Sequence, residues 1–192
     1  LNMALNYLAP EAPRLIAVGG LSGSGKSRMA RELAPFLGVA PGARVVRSDS
    51  TRKRLARVPL TRRLGNQGYL AEMTECTFEA LYEEALAALR AGQSVLADAV
   101  FAKPENRRAI ERVADKAGVP FTGLWLEAPA EIMARRVTER QRNVSDADAK
   151  ILGQPLTYDL GEIEWFRIDS SGARQETLKA GLGLIGLETG VA

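Results

Sequence analysis

The sequence has no histidine and one cysteine, Cys76, among 192 residues. Without histidine, Ser-His-Asp and Cys-His mechanisms are excluded, and any general base must be a carboxylate, a lysine or a bound water. A single cysteine rules out an internal disulfide, and no Cys/His cluster has the spacing of a zinc site. Aromatic residues make up only 6% of the chain, which leaves few rings for stacking on nucleic-acid bases. No apolar run approaches the roughly 20 residues of a membrane helix, and no signal peptide opens the chain. The expected compartment is the cytoplasm, with no membrane partner.

What remains is an ordinary globular composition, 46% hydrophobic and 26% charged with a net charge of +3, of a length suited to one core. Leu1 to Pro13 carries a short apolar stretch and then Pro10 and Pro13. It reads as a linker or the tail of a preceding domain (residues 1–13), before a domain over 14–180 and a C-terminal tail over 181–192. Within the domain, short β-type runs alternate with helical patterns. The runs are Leu15–Val18, Arg44–Arg47, Ser94–Ala97, Phe121–Leu126 and a weaker one over Ile163–Ile168. Helical spacing covers Lys26–Leu37, Tyr69–Ala91 and Pro104–Ala117, and another pattern begins at Pro129. Five strands with helices on both faces predict a doubly wound α/β domain.

Gly20-Leu21-Ser22-Gly23-Ser24-Gly25-Lys26-Ser27 fits G-x-x-x-x-G-K-[ST] completely, between an apolar strand and a helical pattern. The glycines let the backbone turn so that successive N–H groups point inward at phosphate oxygens, and the helix start adds its positive dipole end. Lys26 is then expected on the β- and γ-phosphates and the Ser27 hydroxyl on Mg²⁺. The nucleotide-binding run is Gly20 to Ser27 together with Arg28.

Of two later carboxylates, Asp49 follows the second strand and Asp98 ends the third. Asp49, in Arg47-Ser48-Asp49, would accept the proton of an attacking hydroxyl, or cap the helix that follows, or do both. Asp98 would touch the metal or its water shell, provided its strand lies beside the first; otherwise it is a turn residue. Past the fourth strand, Arg136 and Arg140 are four residues apart and share a helix face. They either close over the triphosphate as a lid or pair with Glu131 and Glu139. Ser145 and Asp148 resemble the cap of a second lid helix. The basic stretch from Arg44 to Arg63, with Asp49 its only acid, is a solvated face or an anion-attracting surface.

On these motifs, together with Asp98-Ala99-Val100-Phe101, Leu124-Trp125-Leu126-Glu127-Ala128-Pro129 and Ser145-Asp146-Ala147, the chain resembles P-loop kinase-like ATP-binding domains of AAA type. This group is similar to gluconate kinases, polynucleotide kinases, chloramphenicol phosphotransferase and zeta toxins. The nearest likeness is to the ATP-binding half of bacterial fusions with an aminoglycoside-phosphotransferase-like domain. The resemblance implies a P-loop NTPase three-layer sandwich with strand order 2-3-1-4-5, a helical lid, and ATP with Mg²⁺ as cofactors. It also implies Lys26, Asp49, Arg136 and Arg140 as catalytic residues. Arg52 and Arg107 fall on the acceptor side, and adenine near residues 169–172. A small-molecule hydroxyl is the expected acceptor. A polynucleotide 5′-hydroxyl, or a non-catalytic regulatory role beside a fused phosphotransferase-like partner, are the alternatives. No N-K-x-D guanine-reading motif is present.

Overall fold

A computed structural model describes residues 12–62, 64–142 and 159–187. Its centre is β1 (Leu15–Gly19), buried along its whole length. Leu15 and Ala17 face one core cluster while Ile16 and Val18 face the other. A strand apolar on both faces belongs in the middle of a parallel sheet with helices above and below, and that is its place. The remaining strands are β2 (Arg44–Arg47), β3 (Val95–Asp98), β4 (Phe121–Glu127) and β5 (Phe166–Asp169), and the order is β2-β3-β1-β4-β5. Every neighbouring pair is parallel. The predicted order therefore holds.

The helices are α1 (Lys26–Leu33), α2 (Ser48–Leu55), α3 (Ala71–Arg90), α4 (Pro104–Ala117), α5 (Ala130–Arg142) and α6 (Arg174–Leu184). Met29 and Leu33 of α1 and Leu182 of α6 join Ile16, Leu96, Leu124 and Ile168 beneath one face. Phe78 and Leu81 of α3 and Ile110 of α4 cover the other. Burying each such side chain contributes about 1.5–3 kcal/mol relative to exposure.

Several boundaries move from their predicted places. The helix expected to reach Leu37 stops at Leu33 and tightens into a 3-10 turn over Ala34–Phe36, because Pro35 has no N–H to continue the ladder. The third strand ends at Asp98 as expected and starts at Val95 instead of Ser94. The fifth begins at Phe166 instead of Ile163, and Ile163 packs against the core from the preceding loop. The tail expected from 181 is corrected: α6 continues to Leu184, and Leu182 and Ile185 are buried. Trp165 lies across Gly123 of β4, where any Cβ would collide with its ring, and its indole N–H donates to Glu111 at 2.7 Å.

Candidate active site at the carboxyl edge of the sheet

The turn after β1 reverses into α1 through three left-handed glycines, Gly20 (φ 140°), Gly23 (86°) and Gly25 (91°). The first two also have no room for a side chain. A Cβ on Gly20 would meet the Leu126 carbonyl, and one on Gly23 the Met133 carbonyl of α5. The Gly20 N–H donates to Val100 at 3.2 Å, and the Ser24 N–H to Leu21 at 3.1 Å. Lys26 and Ser27 occupy the first turn of α1, with Gly25 as its N-cap. The Lys26 ammonium reaches back over the loop to the Leu21 carbonyl at 3.4 Å. Ser24 is fully buried, and its hydroxyl has no partner among the described residues. Ser22 and Arg28 are exposed and Leu21 is half-buried.

Asp98 ends β3 as the register partner of Val18, so the condition set by the sequence is met: its strand lies directly beside β1. Its carboxylate is 3% exposed and accepts from Arg47 Nε at 3.0 Å. Asp49 sits within the first turn of α2, whose N-cap is Arg47. The alternative that Asp49 is the cap is therefore corrected. Its side chain is 42% exposed beside Lys53, 3.5 Å away. An open carboxylate at the end of β2 and a buried one at the end of β3 thus flank the phosphate loop at the strand ends, where open α/β sheets bind ligands.

Arg136 of α5 reaches both the loop and its far neighbour. It donates to Ser170 O at 2.8 Å and to Gly23 O at 3.4 Å. Ser170 in turn donates its hydroxyl to Ser24 O at 2.7 Å and Glu127 O at 3.0 Å. Arg136 is not paired with Glu131. The side chain of Arg140 and all of Ser145 to Asp148 lie outside the described residues, as does the lid expected from them. Beside Ser170, Asp169 is held below the usual carboxylate range by the backbone N–H and hydroxyl of Ser171.

Two expected acceptor-side arginines are engaged elsewhere. Arg107 is 4% exposed and spends its guanidinium on four backbone carbonyls, those of Phe101, Ala102, Leu160 and Glu162, at 2.6–2.9 Å. Burial lowers its pKa, against the nearby carboxylates of Glu111, Glu105 and Glu164. It is a structural clamp, and its assignment to the acceptor is corrected. Arg52 is buried and donates to Gly68 O at 2.7 Å and Thr74 Oγ1 at 3.0 Å, beneath the Tyr69 ring. It fixes the turn that leads into α3. The basic stretch is also partly neutralised, since Arg44 and Arg54 both pair with Glu84 of α3.

The residues present fit a Mg²⁺-nucleotide. Glycine turns shape the loop backbone before α1, an ammonium and a hydroxyl start that helix, and a buried carboxylate stands alongside. No cluster of three His, Cys, Asp or Glu suggests another metal centre among the described residues. No described helix is long and apolar enough to cross a membrane.

Parallel sheet, strand order and glycine turn together define a P-loop kinase-like domain. The chain matches the family model described as AAA domain over residues 15–155 and belongs to that family. An uncharacterized protein of Mycobacterium tuberculosis is 30% identical over 188 residues, covering 93% of this chain and 36% of that protein. The chain thus spans about a third of the length of this curated relative. Adenylyl-sulfate kinase of Myxococcus xanthus is 28% identical over 117 residues, 61% of this chain and 59% of that enzyme. A sugar kinase from Janibacter shares the fold with a TM-score of 0.61 at 21% identity, covering 94% of this chain and 98% of that one. The Mycobacterium tuberculosis APS kinase CysC, solved with AMPPNP and APS, does so with a TM-score of 0.61 at 20% identity, covering 91% and 98%.

Proposed function

We propose that this domain is an ATP-dependent kinase that transfers a γ-phosphoryl group to the hydroxyl of a small molecule. The observation that carries the reading is the placement of three groups at adjacent strand ends. Lys26 follows β1, Asp98 ends β3 in register with Val18, and Asp49 lies two residues past β2. A pure nucleotide sensor needs the first two. An exposed carboxylate on the far side is what a proton-accepting step adds.

In this reading the loop amides and Lys26 hold the β- and γ-phosphates, with Ser27 and Asp98 serving Mg²⁺. The metal, when bound, offsets charge on the phosphate oxygens. Asp49 orients the acceptor hydroxyl and takes its proton. Arg136 stands between the phosphate loop and residue 170, where it can meet the nucleotide. A shallow depression of about 600 Å³ lined by Asp169, Ser171, Gly172 and Thr177 adjoins the region expected for adenine. The kinase names of the adenylyl-sulfate and sugar kinase relatives support the same class.

The polynucleotide alternative loses part of its motivation, because Arg44, Arg52 and Arg54 of the basic stretch are paired or buried. Since similarity reaches only 36% of the mycobacterial relative, we further propose that the domain works beside a second, phosphotransferase-like region.

The test is phosphoryl transfer from ATP, with Mg²⁺, to a panel of hydroxyl-bearing metabolites. Asp49→Asn is expected to lower kcat by about 10²–10⁴-fold while leaving ATP affinity unchanged. ATP hydrolysis indifferent to every acceptor, and equally indifferent to Asp49→Asn, would refute the kinase and leave the sensor.

A further inference from the structure

Arg47 is the last residue of β2 and the register neighbour of Asp98. Its contact with that carboxylate is made side-on, through Nε alone. Neither terminal nitrogen, Nη1 or Nη2, makes a hydrogen bond to a described residue. Several neighbouring arginines are differently placed. Arg44 and Arg54 are tied to Glu84, Arg52 to Gly68 and Thr74, and Arg107 to four carbonyls.

Position adds to this. The Arg47 side chain is 28% exposed while its anchor is 3% exposed. The guanidinium is therefore anchored on a buried group while the side chain keeps some contact with solvent. One residue separates Arg47 from Asp49, and Lys53 pairs with Asp49 from the next turn of α2. A neutral alcohol would gain nothing from a pre-oriented guanidinium two residues before the base. The paired Nη donors match two oxygens of a carboxylate, sulfate or phosphate, a contact that a lysine cannot reproduce in that geometry.

We infer that Arg47 is the acceptor-recognition residue, binding an anionic group of the acceptor through Nη1 and Nη2 so that its hydroxyl lies at Asp49. The substrate class is thereby narrowed to hydroxyl compounds bearing a carboxylate, sulfate or phosphate. This rests on the kinase reading of the same site.

The test uses inorganic sulfate as the probe, titrated calorimetrically into the full chain already saturated with Mg²⁺-AMPPNP at constant ionic strength. The nucleotide fills the phosphate loop, so sulfate reports on the acceptor side. The native chain is expected to bind sulfate, Arg47→Gln to bind it at least roughly tenfold more weakly, and Arg47→Lys to fall between them. The lysine variant keeps a cation on Asp98 and so carries the test should the glutamine variant fail to fold. Sulfate affinity unchanged in Arg47→Lys and Arg47→Gln overturns the proposal. So does a loss of AMPPNP affinity in Arg47→Gln with ADP affinity kept, which would assign the guanidinium to the γ-phosphate.

Transfer assays with matched pairs, glycerate against glycerol and AMP against adenosine, should favour the charged member. Equal turnover of the neutral members again overturns it. Failure of the kinase reading shows separately, as the absence of heat when Mg²⁺-AMPPNP is first added, and would overturn this inference with it.

Discussion

Arginine is the residue on which this structure turns, and its roles are separated by burial and partners more than by sequence position. In the sequence Arg47 is one cation of the basic stretch, whereas the resemblance puts Arg52 and Arg107 on the acceptor side. The first has two uncommitted terminal nitrogens, the second holds a turn, and the third is sunk among carbonyls. For Arg107 the consequence is measurable. Replacing it with methionine strands the two buried carbonyls of Phe101 and Ala102, each costing about 1–3 kcal/mol when unsatisfied, while the part-buried ones of Leu160 and Glu162 can turn to water. Arg107→Met should therefore lose at least ~2 kcal/mol of stability in urea denaturation. The KM for the acceptor in the folded fraction should stay unchanged. A raised acceptor KM at unchanged stability would restore the acceptor-side role that the sequence suggested.

At the scale of elements, Glu84 ties three of them together: α3, on which it lies, the start of β2 through Arg44, and α2 through Arg54, at 2.8 and 2.7 Å. Burial alone would raise its pKa from the ordinary 4.5, but hydrogen bonds from Arg54 and Arg44 outweigh that and lower it. A carboxylate whose folded pKa lies below its unfolded value adds stability that is complete above the unfolded value. That stability is lost as pH falls through the folded one. Both arginines are half or more exposed, so each pair is worth at most about 1 kcal/mol. Glu84→Gln should therefore lower Tm slightly at pH 7, and the gap from the native chain should close below pH 4.5. A gap that persists undiminished into acid would show that packing, not charge, sets the contribution.

The elements were largely legible because their signals are local. The continuous apolar run that makes β1 a buried strand, Pro104 opening α4 and Gly118 closing it all lie within a few residues of what they specify. The phosphate loop is legible for the same reason: its glycines, lysine and serine are contiguous. Asp98 needed one further fact, the β1–β3 pairing, that only the sheet supplies. What stayed hidden depends on contacts between distant residues. Arg107 meets Leu160 across 53 positions, and Ser170 meets Ser24 across 146. Arg47 stood in plain view beside Asp49, yet its meaning came from a carboxylate 51 residues away.

For the molecule as a whole, nucleotide binding should act as a cross-brace. The phosphate loop belongs to the β1–α1 turn, Arg136 to α5, and Ser170 to the segment after β5, and hydrogen bonds already link all three. A ligand held by all three contacts stabilises only the folded arrangement, so its binding energy becomes folding energy. At a hundred times Kd the gain is about 2.7 kcal/mol, and at about 2–4 °C per kcal/mol for a chain of this size Tm should rise by roughly 5–10 °C with Mg²⁺-AMPPNP. Lys26→Ala removes the ammonium on which phosphate affinity depends and should erase the shift while leaving the unliganded Tm nearly in place, since Lys26 is only half-buried. Arg136→Ala should reduce the shift without erasing it, because the loop amides remain. A thermal shift of full size in Lys26→Ala would mean that the stabilising ligand sits somewhere other than this loop, and the assignment of the active site would fall with it.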